Sequence, residues 1–142
     1  VSTPTPYSKE IARNICERIA NGEALKHICE GEDYPNESTV HDWVNKKSEF
    51  AKLYAHARAR QADHYAQEIL EIADDSSKDF IDSEDGKKLD SEHVQRSKLR
   101  IDTRKWLAAK LAPKRYGDKT HVEHSGDAQK PLKINISIIG DD

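Results

Sequence analysis

The stretch Leu99–Lys119, LRIDTRKWLAAKLAPKRYGDK, leaves the chain little freedom in how it folds. Leu99, Trp106, Leu107 and Leu111 recur at helical spacing, so one face of a helix seeks burial. Arg96, Arg100 and Arg104 follow one another four residues apart, so a second face is charged. Pro113 drives Ala112 out of helical geometry, and Gly117 completes the stop. A helix with an apolar face and a basic face must pack against protein, and its basic face can also hold acidic groups.

Upstream, Glu49 to about Ala73 is one helical pattern without Gly or Pro. Leu53, Tyr54, Ala57, Tyr65, Ile69, Ile72 and Ala73 mark its expected buried side. Its alanines favour the helix and permit close approach of a neighbour. Residues 76–89 are polar and acidic and contain Gly86, which reads as a loop or hairpin connection. Asp90 or Ser91 starts the next helix. The two long helices are therefore expected as an antiparallel hairpin over residues 49–117. Apolar residues make up 35% of the chain and charged residues another 35%. That is too lean for one large core, and small helical units that complete their cores by oligomerising fit better.

Residues 1–48 read as a three-helix helix-turn-helix domain. Ser8 caps a helix through Ala20, with Ile11, Ile15 and Ile19 as its apolar stripe and Gly22 at its end. A second short helix runs from about Glu23 to Glu30, with Leu25, Ile28 and Cys29 inward. Residues 31–35 are turn chemistry, and Asn36 caps a third helix to about Lys47. With Val40, Trp43 and Val44 inward, Ser38, Thr39, His41, Asp42 and Asn45 face out. Such a helix can read base edges while Lys46 and Lys47 hold phosphates. Lys9, Arg13 and Lys26 are further phosphate candidates. Residues 1–47 nevertheless carry six bases and eight acids, so one copy should bind DNA weakly. Linked copies would restore affinity through effective concentration. Three-helix units of this kind also serve as protein-binding modules, which is the competing reading.

Charge is segregated along the chain. Residues 74–92 hold eight acids and three bases, and residues 93–119 hold nine bases and two acids. The basic helix is expected to pair with this acidic block, within a subunit or between neighbours; direct contact with DNA is the alternative. Tyr65, Ile69, Leu99, Arg100, Asp102, Arg104, Trp106 and Leu107 are the candidate oligomerisation residues. In residues 118–142 the chain changes character. Leu132, Ile134, Ile136 and Ile138 alternate with polar residues, a strand signal over about 132–139. No second strand is evident, so this one should pair between subunits or with another protein, the alternative being a disordered tail.

Catalysis is not expected. There is no phosphate-binding Gly-rich loop. His121 and His124 are the best metal candidates but have no second cluster, and Glu68, Glu71 and Asp75 read as a solvated face, so neither a metal nor a cofactor is expected. Cys16 and Cys29 read as small buried hydrophobes rather than a disulfide. No run approaches the length of a membrane span.

With the R-x-D-T-R-K-W run at Arg100–Trp106, the P-K-R-Y-G-D-K run at Pro113–Lys119 and the helix-turn-helix pattern before them, the chain resembles the small terminase subunits of tailed bacteriophages over residues 7–119. Ser38, Thr39, Val40 and Trp43 match the family's recognition-helix pattern. Arg100, Asp102, Thr103, Arg104 and Trp106 match its central-helix pattern. The resemblance implies a mainly α fold, in which an N-terminal helix-turn-helix precedes a central helical hairpin that oligomerises. It implies a ring of copies that binds viral double-stranded DNA at the packaging start, in the cytoplasm of a bacterial host. The ring would present that DNA to the large terminase subunit, which holds the ATPase and nuclease. The acidic head and a longer insertion near residues 79–89 depart from the family pattern. Two other functions compete: a dimeric helix-turn-helix transcriptional regulator, and a metal-dependent nuclease.

Overall fold

A computed structural model of the chain describes residues 5–119. Three short helices lead, α1 (Lys9–Ala20), α2 (Leu25–Cys29) and α3 (Glu37–Lys46). A long α4 (Ser48–Asp74) follows, then strands β1 (Phe80–Ser83) and β2 (Gly86–Leu89), α5 (Ser91–Leu111) and a single turn, α6 (Pro113–Tyr116).

The helix ends fall where local chemistry puts them. Ser8 Oγ accepts from the Ile11 amide at 3.0 Å, and Asn36 Oδ1 accepts from the Thr39 amide at 2.9 Å. Gly22 closes α1 at φ +95°, where its own amide bonds Ile19 O and the Glu23 amide bonds Arg18 O. This is the paired-bond C-cap that glycine serves without strain. Between α3 and α4 only Lys47 leaves helical geometry, at φ −124° and ψ 103°. At the far end Ala112 is pushed to φ −137° before Pro113, as expected. Gly117 sits at φ −78°, so its role is not a left-handed turn. A Cβ there would lie 2.5 Å from the Pro113 carbonyl, and the position needs glycine for close approach.

Two cores share α4. The larger gathers Ile15 and Ile19 of α1, Leu25 and Ile28 of α2, Val40 and Trp43 of α3, and Phe50 and Ala57 of α4. Tyr7, Trp43 and Phe50 meet edge-to-face, with Tyr7–Trp43 centroids 5.0 Å apart and Trp43–Phe50 5.7 Å apart. This head therefore extends past residue 48 into α4. The smaller core is Ala62 against Ala108 and Ala112, flanked by Tyr65 and Leu111. Alanines let α4 and α5 come close but bury little area each, so this hairpin gains less from apolar burial than the head.

A polar latch joins head to hairpin. Gln61, buried, donates to Glu23 O at 3.1 Å and accepts from Arg58 at 2.9 Å. His64 packs beneath Gly22. Arg18 holds Glu23 with two nitrogens, the shorter contact 2.6 Å, and lies over the Tyr34 ring. That guanidinium keeps the Glu23 carboxyl below its usual range.

Several expectations need correction. Leu53 and Ala73 are exposed, while Phe50 is a central core residue, because the break at Lys47 sets the phase of α4. Leu99 and Trp106 do not line the hairpin; Ser97, Arg104 and Ala108 are less exposed and lie toward α4. Of the loop or hairpin expected over residues 76–89, the hairpin forms, as two strands pairing Phe80 with Leu89 and Asp82 with Lys87. Glu84 and Asp85 form its turn and Gly86 (φ +111°) completes it, so strands do occur outside the C-terminal segment. The strand expected over 132–139, with Ile134, Ile136 and Ile138, lies outside the described residues.

Candidate nucleic-acid interface

The outer side of α3 presents Ser38, His41, Asp42, Asn45 and Lys46 to solvent, with Thr39 half-buried. Burial of Val40 and Trp43 on the other side fixes this orientation. The Ser38 hydroxyl already donates to Asn36 Oδ1 at 2.8 Å, which leaves its oxygen free to accept. Lys46 stands 3.6 Å from Asp42 one turn back; both are exposed, so the pair is weak and easily traded for a phosphate. Lys47 is held differently: its ammonium sits 4.4 Å above the Tyr7 ring. A groove of about 840 Å³ runs along this side, lined by Tyr7, Glu32, Ser38, Asp42 and Lys46 among others. Glu32 and Asp42 make it a mixed-charge surface.

Lys9 and Arg13 do not join that surface. They line the seam between α1 and α4 with Glu49, Lys52 and Leu53. Arg13 continues into a second depression with Glu17, His56 and Arg60. Lys9 and Arg13, and Lys52, His56 and Arg60, recur at four-residue spacing on their helices and are all exposed. Lys52, His56 and Arg60 were missed in the sequence; their spacing was legible, but their alignment with α1 was not. Lys26 is exposed on α2 and lines neither groove.

The oligomerisation candidates divide into three groups. Tyr65 and Arg104 are engaged within their own hairpin. Arg104 Nε donates to Glu68 at 2.7 Å, and that hydrogen bond holds the Glu68 carboxyl below its usual range. Glu68 is thus a structural partner rather than part of a solvated face. Arg115 and Tyr116 reach back to Asp63, the Tyr116 hydroxyl at 2.8 Å from its carboxylate. Among the described residues the basic segment thus divides its ion pairs: Arg104 of α5 and Arg115 of α6 reach carboxylates of α4, while Arg96–Glu92 (3.3 Å) and His93–Asp79 (3.9 Å) draw on the acidic block. Ile69 and Leu107 are half-buried. Leu99, Arg100, Asp102 and Trp106 are exposed, and Asp102 has no ion-pair partner among the described residues.

Burial raises the Cys16 thiol to about 11, so it stays protonated and inert at neutral pH. Cys16 and Cys29 are both free. Among the described residues no group of three or more His, Cys, Asp or Glu is placed to share a metal ion. His121 and His124 lie outside the described residues.

A three-helix head latched to one arm of an antiparallel helical hairpin, with cations on two sides of the head, places the chain in a mainly helical class of protein. Residues 7–123 match the family described as bacteriophage Sf6, terminase small subunit-like, and the chain belongs to that family. Its fold is similar to crystal structures of point variants of terminase small subunit gp1 of the bacterial virus Sf6. One is 35% identical with a TM-score of 0.65, covering 96% of each chain. Another is 36% identical with a TM-score of 0.65, covering 94% of this chain and 100% of that one. No curated protein sequence matched. The family and its mainly helical fold assign the chain a terminase small subunit role.

Proposed function

We propose that this chain works as a ring of copies that binds double-stranded viral DNA at the packaging start and delivers it to the large terminase subunit. It is not itself an enzyme; the ATPase and nuclease belong to the large subunit. It acts in the bacterial host's cytoplasm, and no helix among the described residues is long and apolar enough to cross a membrane.

One observation carries the reading. The α5 helix turns one side into its own hairpin and points Leu99 and Trp106, 62% and 61% exposed, the other way. Leu70 on α4 is 64% exposed as well. Full burial of such a side chain is worth about 1.5–3 kcal/mol, so a neighbour's surface is the favourable cover. The exposed Arg100 and Asp102 flank this row and are available to pair across the contact. The head supplies DNA contacts of two kinds: α3 with Ser38, Thr39, His41, Asn45, Lys46 and Lys47 toward bases and phosphates, and the α1–α4 seam toward phosphate alone. Each head binds weakly because acids balance its bases, nine of each over residues 1–60. Gathering many heads on one scaffold raises the affinity of the whole.

Native mass spectrometry with and without viral DNA tests this. A closed assembly of more than two copies that takes up DNA is expected. A dimer would overturn the ring and favour a transcriptional regulator; DNA cleavage by the chain alone in Mg²⁺ would overturn the non-enzymatic assignment.

A further inference from the structure

The β-hairpin 80–89 stands apart from the rest of the chain. Among the described residues no helix packs against either strand. It is tethered only at its base, where the Asp90 amide bonds Asp79 O at 2.7 Å and His93 approaches the Asp79 carboxylate. Every residue of both strands is exposed, and Phe80, Ile81 and Leu89 each remain about half exposed. An isolated two-stranded hairpin is marginal in water at best, and both of its outer edges carry unpaired backbone groups.

Its charges are sorted by strand. Asp82 lies on β1, with Glu84 and Asp85 in the turn, whereas Lys87 and Lys88 lie on β2. Asp82 faces Lys87 and Phe80 faces Leu89 across the pair. A β1 edge therefore complements the β2 edge of another copy in both charge and apolar character, but does not complement another β1 edge. Such a contact is head-to-tail, the kind that closes into a ring.

We infer that in the ring proposed above, on which this inference rests, β1 of each copy pairs antiparallel with β2 of its neighbour. The hairpins then form one closed sheet. Rotation about the ring axis keeps every hairpin pointing the same way, so β1 and β2 alternate up and down around it. Phe80 and Leu89 become a continuous apolar belt, and Asp82 and Lys87 an alternating charged one. Closure removes every free edge.

The test mixes two full-length chains, one carrying Asp82→Cys and one carrying Lys87→Cys, in a Cys16→Ala, Cys29→Ser background. After assembly and oxidation, disulfide-linked dimers are expected from the mixture and from neither chain alone. Native mass spectrometry of the same samples reports the ring independently. Amide hydrogen exchange on the unsubstituted protein gives a second readout, with residues 80–89 slowing roughly tenfold or more on assembly. A ring by mass without linked dimers and with freely exchanging hairpin amides overturns the sheet and leaves the ring reading intact. Protection that arises only when another protein is added assigns the hairpin to that partner and also overturns it. Absence of any closed assembly overturns the ring reading and this inference together.

Discussion

Gly22 concentrates several constraints in one residue. It takes φ +95°, ends α1, and leaves room for the His64 ring, which an added Cβ would approach to 2.5 Å. Gly22→Ala should cost about 1–3 kcal/mol, read as a lower denaturant midpoint at unchanged slope. Adding His64→Ala should recover only part of this loss, since it relieves the clash but not the backbone strain. A glycine closing a helix was legible in the sequence; its partner on α4 was not, because nothing local links positions so far apart. The same holds for Glu68 and Asp63. Arg104 lowers the Glu68 carboxyl from its ordinary value of 4.5, and the Tyr116 hydroxyl, then Arg115, lowers Asp63 from 3.8. Both are held below their unfolded values, so their contribution is fully present above about pH 4.5 and is lost as pH falls through the lowered values. Arg104→Gln should therefore flatten the acid limb of stability measured from about pH 6 to about pH 3. An unchanged limb would show that Glu68 does not draw on Arg104.

At the level of the helices, α4 does two jobs along one axis. Its first half completes the head through Phe50 and Ala57; its second half builds the hairpin through Ala62 and Tyr65. Phe50→Ala should cost about 3–5 kcal/mol, whereas Leu53→Ala, exposed three residues on, should change stability by less than about 0.5 kcal/mol. Equal effects, measured by denaturant unfolding, would mean that α4 does not turn Phe50 inward. Helical periodicity made α4 plain in the sequence. It did not say which of two neighbouring stripes faces inward, because both contain large apolar residues. The elbow at Lys47 makes that choice by fixing the rotation of α4 against α1 and α3. On α5 the stripe through Leu99 and Trp106 was legible as apolar, but its direction away from α4 was not. Alanines at 62 and 108 set the close contact, and the larger side chains fall outside it.

Across the molecule as a unit, the two cationic sides of the head make separable predictions. Lys46→Ala with Lys47→Ala, and Lys9→Ala with Arg13→Ala, Lys52→Ala and Arg60→Ala, should each weaken DNA binding. Each set should also reduce the dependence of log affinity on log salt, by about 0.9 for every phosphate no longer neutralised. Fluorescence anisotropy over a salt series checks both. A slope unchanged by one set removes that side from the interface. The helices, their caps and stops, the lean cores and the basic C-terminal helix are all written in the order of the residues, because each follows from local propensity and periodicity. Packing, by contrast, assigned Arg104 to the hairpin and set Lys9 and Arg13 beside Lys52 and Arg60. It also turned Trp106 outward and made the acidic connection a free-standing pair of strands. Those outcomes depend on how helices rotate and cross, and a side chain's partner across such a contact is set by geometry that no local pattern encodes.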